Sequence, residues 1–272
     1  MSVGAAPAES RSVTRVMDVL DLFGRVHEEL TLTEISRRLG VPKSSAHALL
    51  QAMRRRGYLA WNPATKGFSI GLRVIALSQA APVLRMLQHR ARPHMEELAR
   101  SLRETVMLGA FETESVICVD TVESPDAVRF TIQLGERRPL HCTSLGKLYL
   151  ASLSDEHVRR TLSHGLDRET PATITEFDQL LAQLAEIRDS GYATNRAESI
   201  EGVYSFGVPI PSLLVVPIAG LSVVGVAERM AAKEEQVVRE LRDAAARLSK
   251  ELGAGELDVL AHDIDPGQDR KE

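Results

Sequence analysis

Between Thr31 and Pro42 the chain has little choice of local structure. Thr31-Leu32-Thr33-Glu34 is a capping box, in which the Thr31 hydroxyl and the Glu34 carboxylate each satisfy an exposed backbone N–H at a helix start. The helix so begun is short, because Gly40 marks its end and Pro42 suits the first turn of a new helix rather than the last turn of an old one. That next helix runs from Ser44 through Met53 to Arg56, before Gly57. Upstream, Val13, Val16, Met17, Leu20 and Phe23 recur at helical spacing and mark a first amphipathic helix ending near Gly24. Downstream, Tyr58–Trp61 and Phe68–Ile70 alternate apolar and small residues around the turn Asn62-Pro63-Ala64-Thr65-Lys66-Gly67, the pattern of a β-hairpin. Three short helices, a tight turn before the third and a two-stranded wing predict a winged helix-turn-helix over residues 11–71.

Projected at about 100° per residue, the third helix gathers Ala46, Leu49, Leu50 and Met53 into one arc for packing. Ser44, His47, Ala48, Gln51 and Arg55 fall opposite, flanked by Lys43, Ser45 and Arg54. Small and hydrogen-bonding residues near the start let a major-groove helix approach base edges, while cations further along hold phosphates. The candidate DNA contacts are therefore Lys43, Ser44, Ser45, His47, Gln51, Arg54 and Arg55, with Lys66 at the tip of the wing. A plain solvated face is the alternative for this helix taken alone.

Charge is distributed to match. The whole chain carries −4, yet residues 1–78 hold 11 Lys and Arg against 6 Asp and Glu, leaving 22 against 31 for residues 79–272. The basic end is the candidate DNA module, and the acidic remainder, which would repel DNA, argues against an architectural or non-specific binder. A chain of 272 residues that is 44 % hydrophobic has material for two separate cores. Its apolar runs are too short to span a membrane, and its start lacks a basic stretch followed by an apolar one, so a cytoplasmic location is expected. Cys118 and Cys142 are too few for a disulfide framework and lack the spacing of a metal site, so they are read as reduced, buried thiols. No H-E-x-x-H or G-x-G-x-x-G motif occurs, and Gly146-Lys147 lacks the upstream glycine of a phosphate-binding loop. Neither catalysis nor a cofactor is expected.

Beyond the wing, residues 72–81 read as a linker helix, and Pro82–Leu102 as a second helical stretch interrupted by Pro93. Strands are expected at Thr105–Phe111, Val116–Val122 and Val128–Leu134, then helices at Leu145–Leu153, Asp155–Leu162 and Glu176–Ser190. Further strands follow near Tyr192–Thr194, Ser205–Ile210, Leu213–Ile218 and Leu221–Val226, with a closing helix from about Lys233 to Leu252. Strands and helices in segregated runs indicate an α+β domain over residues 82–252. Residues 1–10 and the acidic stretch 253–272 read as disordered tails.

Four segments in order resemble the IclR family of bacterial regulators, and the similarity runs from about residue 12 to 252. LTLTEISRRLGVPKSSAHALL from Leu30 resembles the family's helix-turn-helix, and GFSIGLRVIAL from Gly67 its passage from wing to linker. PLHCTSLGKL from Pro139 resembles the segment that opens the effector-pocket helix, and IRDSGYA from Ile187 the start of the segment that closes over it. The resemblance implies a GAF-like effector domain with a mainly antiparallel sheet, assembly as a homodimer or homotetramer, and binding of double-stranded operator DNA. It further implies that a small organic effector, a carboxylic or aromatic acid, alters that binding.

Carried over position by position, the family's pocket groups fall on Thr143, Ser144 and Leu145, on Asn195, on Ser205 and on Ser222. An acidic residue is common where Asn195 stands and cysteine where Ser205 stands, so this pocket is expected to be less charged. The mostly apolar Pro211–Pro217 departs from the family's polar turn, and the resemblance does not fix the strand register beyond Ile210. A polar loop running into a helix at Ser144 also points free backbone N–H groups at whatever lies before it, which suits an anion. Thr143 and Ser144 taken singly are read equally well as helix caps. His141 and Lys147 are read as structural or surface groups.

Overall fold

The computed structural model of the chain describes residues 11–26, 28–78, 82–112, 114–210 and 219–264. Two compact units divide between Pro82 and Val83. The first comprises α1 (Arg11–Arg25), β1 (Leu30–Thr31), α2 (Leu32–Leu39), α3 (Lys43–Arg55), β2 (Leu59–Asn62), β3 (Gly67–Ile70) and α4 (Leu72–Ser78). Its core is Val19 and Phe23 of α1, Leu30, Ile35, Leu50 and Met53, closed by Leu59 and Phe68 of the hairpin.

Local chemistry accounts for the helix-turn-helix. Thr31 caps α2 reciprocally with Glu34, its backbone N–H donating to the carboxylate at 2.8 Å. Gly40 takes the left-handed conformation that ends the helix, at φ 63°. The buried Ser36 hydroxyl then donates to the Val41 carbonyl at 2.6 Å, fastening the turn that leads into α3. The two-residue β1 pairs with β3, so the expected two-stranded wing is a three-stranded sheet in the order β1-β3-β2. On α1 the core face is Val19 and Phe23; Val13 and Met17, of the same apolar stripe, stand exposed.

The second unit comprises α5 (Pro82–Leu102), β4 (Thr105–Phe111), β5 (Ser115–Val122), β6 (Arg137–Pro139), α6 (Ser144–Ala151), α7 (Asp155–Thr161) and α8 (Phe177–Ser190). It continues through β7 (Ala193–Arg196), β8 (Val203–Pro209), β9 (Ala219–Val226), α9 (Ala227–Ala231) and α10 (Glu234–Ile264). Six antiparallel strands form one sheet in the order β6-β5-β4-β9-β8-β7. Period-two alternation splits its side chains between two cores. Val106, Leu108, Phe206, Val208, Leu221 and Val223 pack under α5 and α10. Met107, Phe111 and Val224 pack with Leu145 and Leu148 of α6 and Leu180 and Leu184 of α8 on the other face. Glu104, fully buried at the start of β4, is gripped by both prongs of Arg229 at 2.8 Å and by Lys233 at 2.9 Å, which pins α9 and α10 to the sheet.

Several expectations are corrected. Val128–Leu134 alternates like a strand but joins no ladder: Val128 and Leu134 are exposed while Ile132 is buried, and the segment is tied down by Thr105 Oγ1 donating to the Phe130 carbonyl. The edge strand is instead β6. Pro93 does not interrupt α5, because Leu87, Ala91, Met95 and Leu98 on both sides of it are buried and hold the helix across one missing backbone hydrogen bond. The closing helix α10 runs past Leu252 to Ile264, through Gly253 and Gly255, where a disordered tail was expected from the breakers. The strand expected at Leu213–Ile218 lies outside the described residues, and α9 has no counterpart in the sequence reading.

Candidate functional site

In the first unit, α3 starts at Lys43 behind Pro42, which offers no side-chain cap, so the first-turn N–H groups are left for an external acceptor. Ala46, Leu50 and Met53 are buried and Leu49 is half-buried, as the projection required. Lys43, Ser44, Ser45 and His47 are exposed along the opposite face, with Arg54 and Arg55 exposed in the last turn. Gln51 is half-buried and its Nε2 lies 3.5 Å from His47 Nε2, so the two side chains share one hydrogen-bonding group. Lys66 stands exposed on the wing turn with φ 53°, a left-handed conformation uncommon for a lysine.

Sequence reasoning missed what holds that turn. The Glu29 carboxylate accepts from the Thr65 hydroxyl and from Asn62 Nδ2 at 3.0 and 3.1 Å, so an acidic group ahead of β1 clamps the wing tip. The Thr65 bond first and the Asn62 bond second hold its pKa below the usual carboxylate value. The only signal for this contact is long-range register, Thr31 opposite Gly67, which no local pattern reveals.

In the second unit all six carried-over residues line one small cavity of about 40 Å³. Sheet register explains the convergence. Asn195 stands opposite Ser205, which stands opposite Val224; one step along, Gly207 stands opposite Ser222, which stands opposite Met107. The helix α6 can lie over this face because it rests on a floor without side chains. A Cβ on Gly109, Gly207 or Gly220 would come within 2.5, 3.0 or 2.8 Å of a Leu145 methyl. Gly146 likewise lets α6 meet the backbone of Leu140, which a Cβ would strike.

Polar groups around the cavity are ordered. Thr143 caps α6, accepting from Gly146 N–H at 3.1 Å while donating to the Pro139 carbonyl at 2.6 Å. Ser205 Oγ donates to Ser144 Oγ at 2.9 Å, and Ser222 Oγ donates to the Phe206 carbonyl at 3.0 Å. With those protons placed, Ser144 donates to Ser222 across 3.0 Å. Asn195 donates to Ser199 at 2.9 Å and accepts from Glu198 N–H at 2.8 Å. Sequence reasoning also missed Arg138, which is the one formally charged residue among those lining the cavity.

Lys147 is neither exposed nor idle. Its ammonium, 0 % exposed, donates to both Glu198 oxygens at 2.7 and 2.8 Å and to Gln183 at 2.9 Å, tying α6 to the turn after β7. Burial pulls its pKa down, with the Glu198 charge opposing. The same turn holds Ala197 at φ 60°, and Thr170 and Thr173 donate to the Ala197 and Glu198 carbonyls at 2.7 and 2.6 Å. His141 is buried against the Asp167 carbonyl at 2.9 Å, a structural group. Cys118 and Cys142 are free, buried thiols, each pushed by burial up to about 12. Among the described residues no helix is long and apolar enough to cross a membrane, and no cluster of His, Cys, Asp and Glu is suited to a metal.

Comparison with known proteins bears on both sites. Residues 12–63 match the IclR helix-turn-helix domain and residues 81–250 match the bacterial transcriptional regulator IclR C-terminal domain. The HTH-type transcriptional regulator KdgR of Escherichia coli is 31 % identical over 250 residues, covering 91 % of this chain and 94 % of that one. The crystal structure of an IclR transcriptional regulator from Alicyclobacillus acidocaldarius superposes with a TM-score of 0.76 at 28 % identity, over 90 % of this chain and all of that one. An IclR homologue from Microbacterium hydrocarbonoxydans, solved in complex with 4-hydroxybenzoate, gives 0.77 at 29 % identity over 89 % of this chain and 98 % of that one. Winged helix, six-stranded sheet and matched domains lead to one assignment: the chain belongs to the IclR family of DNA-binding transcriptional regulators, a family of regulators and not of enzymes.

Proposed function

We propose that operator binding by this regulator is modulated by a small organic acid, carboxylate or aromatic, held in the cavity of the second unit. The observation that carries the reading is the convergence of Thr143, Ser144, Leu145, Asn195, Ser205 and Ser222, from four separate stretches of sequence, on a single cavity. The start of α6 also favours an anionic ligand in the cavity, since the Ser144 and Leu145 N–H groups have no acceptor within the helix. The 4-hydroxybenzoate of the Microbacterium homologue is a ligand of that chemical class. DNA is read by Lys43, Ser44, Ser45, His47, Gln51, Arg54 and Arg55 of α3 and by Lys66 of the wing, and the exposure of this face supports the assignment. Regulation is by repression, the sign carried in the name of the relative YiaJ, a DNA-binding transcriptional repressor.

Assembly is as a homodimer or homotetramer, since one winged helix covers little DNA. Val13 and Met17 on α1 and Leu72 and Leu77 on α4 are large apolar residues left exposed, Leu72 at 82 %, and supply part of the contact. Ala76 of α4 is exposed beside them. The cavity acts on DNA by favouring one arrangement of the paired DNA-reading helices.

The test is to select binding fragments from genomic DNA with the purified protein, then titrate the complex with a panel of organic acids that raise the protein's melting temperature. A stabilising acid that shifts the DNA affinity supports the reading. DNA binding indifferent to every stabilising acid refutes it.

A further inference from the structure

The cavity wall contains one cation, and its placement is set by the sheet. Arg138 of β6 stands directly opposite Val116 of β5, and both line the cavity; Arg137, one step along, pairs with Ile117 on the other face and reaches Glu112. The Arg138 side chain is 21 % exposed and uses one nitrogen, donating from Nη1 to Glu136 Oε1 at 3.0 Å. A guanidinium carries five N–H donors, so most of its fork is free of that bond. No Asp, Glu, Lys or His joins Arg138 among the residues lining the cavity.

The serines face the opposite way chemically. Their three protons run inward from Ser205 to Ser144 to Ser222 to the Phe206 carbonyl, so Ser205 turns lone pairs, not a proton, toward the cavity. One side of the cavity therefore donates with a full charge and the other accepts.

The geometry points to Arg138 as the residue that makes this cavity select anions: it holds the carboxylate of an acid whose hydroxyl donates to the serine side. In the free protein Glu136 occupies part of the guanidinium and opposes an incoming carboxylate, so it sets the affinity downward. The inference rests on the cavity being the effector site. It assigns the acid's charge to a side chain that the family-derived pocket positions do not include.

Four acids of different shape, benzoate, 4-hydroxybenzoate, adipate and gluconate, and the neutral amide of each are titrated against full-length wild type, Arg138→Gln and Glu136→Gln by calorimetry. Far-UV circular dichroism checks that all three fold alike. Wild type binds at least one acid in preference to its amide. Arg138→Gln weakens that acid about ten-fold or more and leaves the amide unchanged, because a charge-assisted fork is lost. Glu136→Gln tightens the same acid several-fold. If Arg138→Gln binds the acid as wild type does, the inference fails while the effector reading stands. If both variants weaken it equally, the pair is structural and the inference fails. If no acid binds wild type, the effector reading itself falls and takes the inference with it.

Discussion

Placing α6 on a floor of glycines makes a quantitative prediction. A Cβ introduced by Gly109→Ala would stand 2.5 Å from Leu145 Cδ1, 2.8 Å from Val116 Cγ1 and 3.4 Å from Met107 Cε. Carbon atoms rest at about 3.5–4.0 Å, so Leu145 must retreat by roughly 1 Å. Its other methyl already sits close over Gly207 and Gly220, so the side chain can retreat only toward the cavity that it lines. The expected cost lies in the upper part of the overpacking range, about 2–3 kcal/mol. Leu145→Ala removes both methyls and costs about 2 kcal/mol, the low end for a core leucine, since the site opens on a cavity that water can enter. In the double variant the alanine at 109 is relieved of the Leu145 methyl and keeps only its close approach to Val116, so the two costs do not add, and a coupling of about 1 kcal/mol is expected. Urea denaturation followed by far-UV circular dichroism measures the cycle for the larger unit. Fluorescence of Trp61, the single tryptophan, reports the other unit and should not move. Additive costs would refute the steric account of the glycine floor.

Other expectations are briefer. His47→Ala relaxes preference at particular base pairs by roughly 1–3 kcal/mol, whereas Arg55→Ala weakens binding to all sequences and lowers the salt slope by about one, both readable by anisotropy on selected DNA. Lys147→Met strands the Glu198 carboxylate in the interior and costs about 3–5 kcal/mol in denaturant titrations; a change below about 1 kcal/mol would show that water reaches the pair. Cys118 and Cys142 resist iodoacetamide at pH 8 until the chain unfolds. Because each thiol ionises at about 12 when folded against 9.0 as its ordinary value, the unfolded chain releases protons that the folded chain keeps. Stability therefore holds below pH 9 and falls above it, by about 1.4 kcal/mol per thiol for each pH unit, and a flat profile from pH 9 to 11 would contradict the burial of both.

What the sequence disclosed was local or came from resemblance. The Thr31–Glu34 box, the Gly40 stop and the core arc of α3 are contacts among near neighbours, so a short window contains them. The strand β1 is two residues long and exists only through Phe68 and Gly67 across the sheet. Residues 128–134 show the converse, with strand-like alternation and no partner to pair with. Arg138 escaped for a related reason, since a lone cation reads as a surface group until a neighbouring strand's register reveals where it points; Lys147, read as a structural or surface group, is structural, and only its distant partner Glu198 was not legible. The six carried-over cavity residues were found because the family pattern stands in for those long-range contacts.

The alternation along β9 carries a consequence for how such a protein changes over generations. Leu221 and Val223 belong to the core under α5 and α10, while Ser222 between them faces the cavity. The same holds on β8, where Phe206 and Val208 flank Gly207 and Ser205 faces the cavity. A single-codon replacement of Ser205 or Ser222 alters the hydrogen bonding offered to a ligand and leaves the opposite core intact. The strands thus carry two ledgers, one for holding together and one for choosing a molecule, and a lineage can rewrite the second while the first stays balanced.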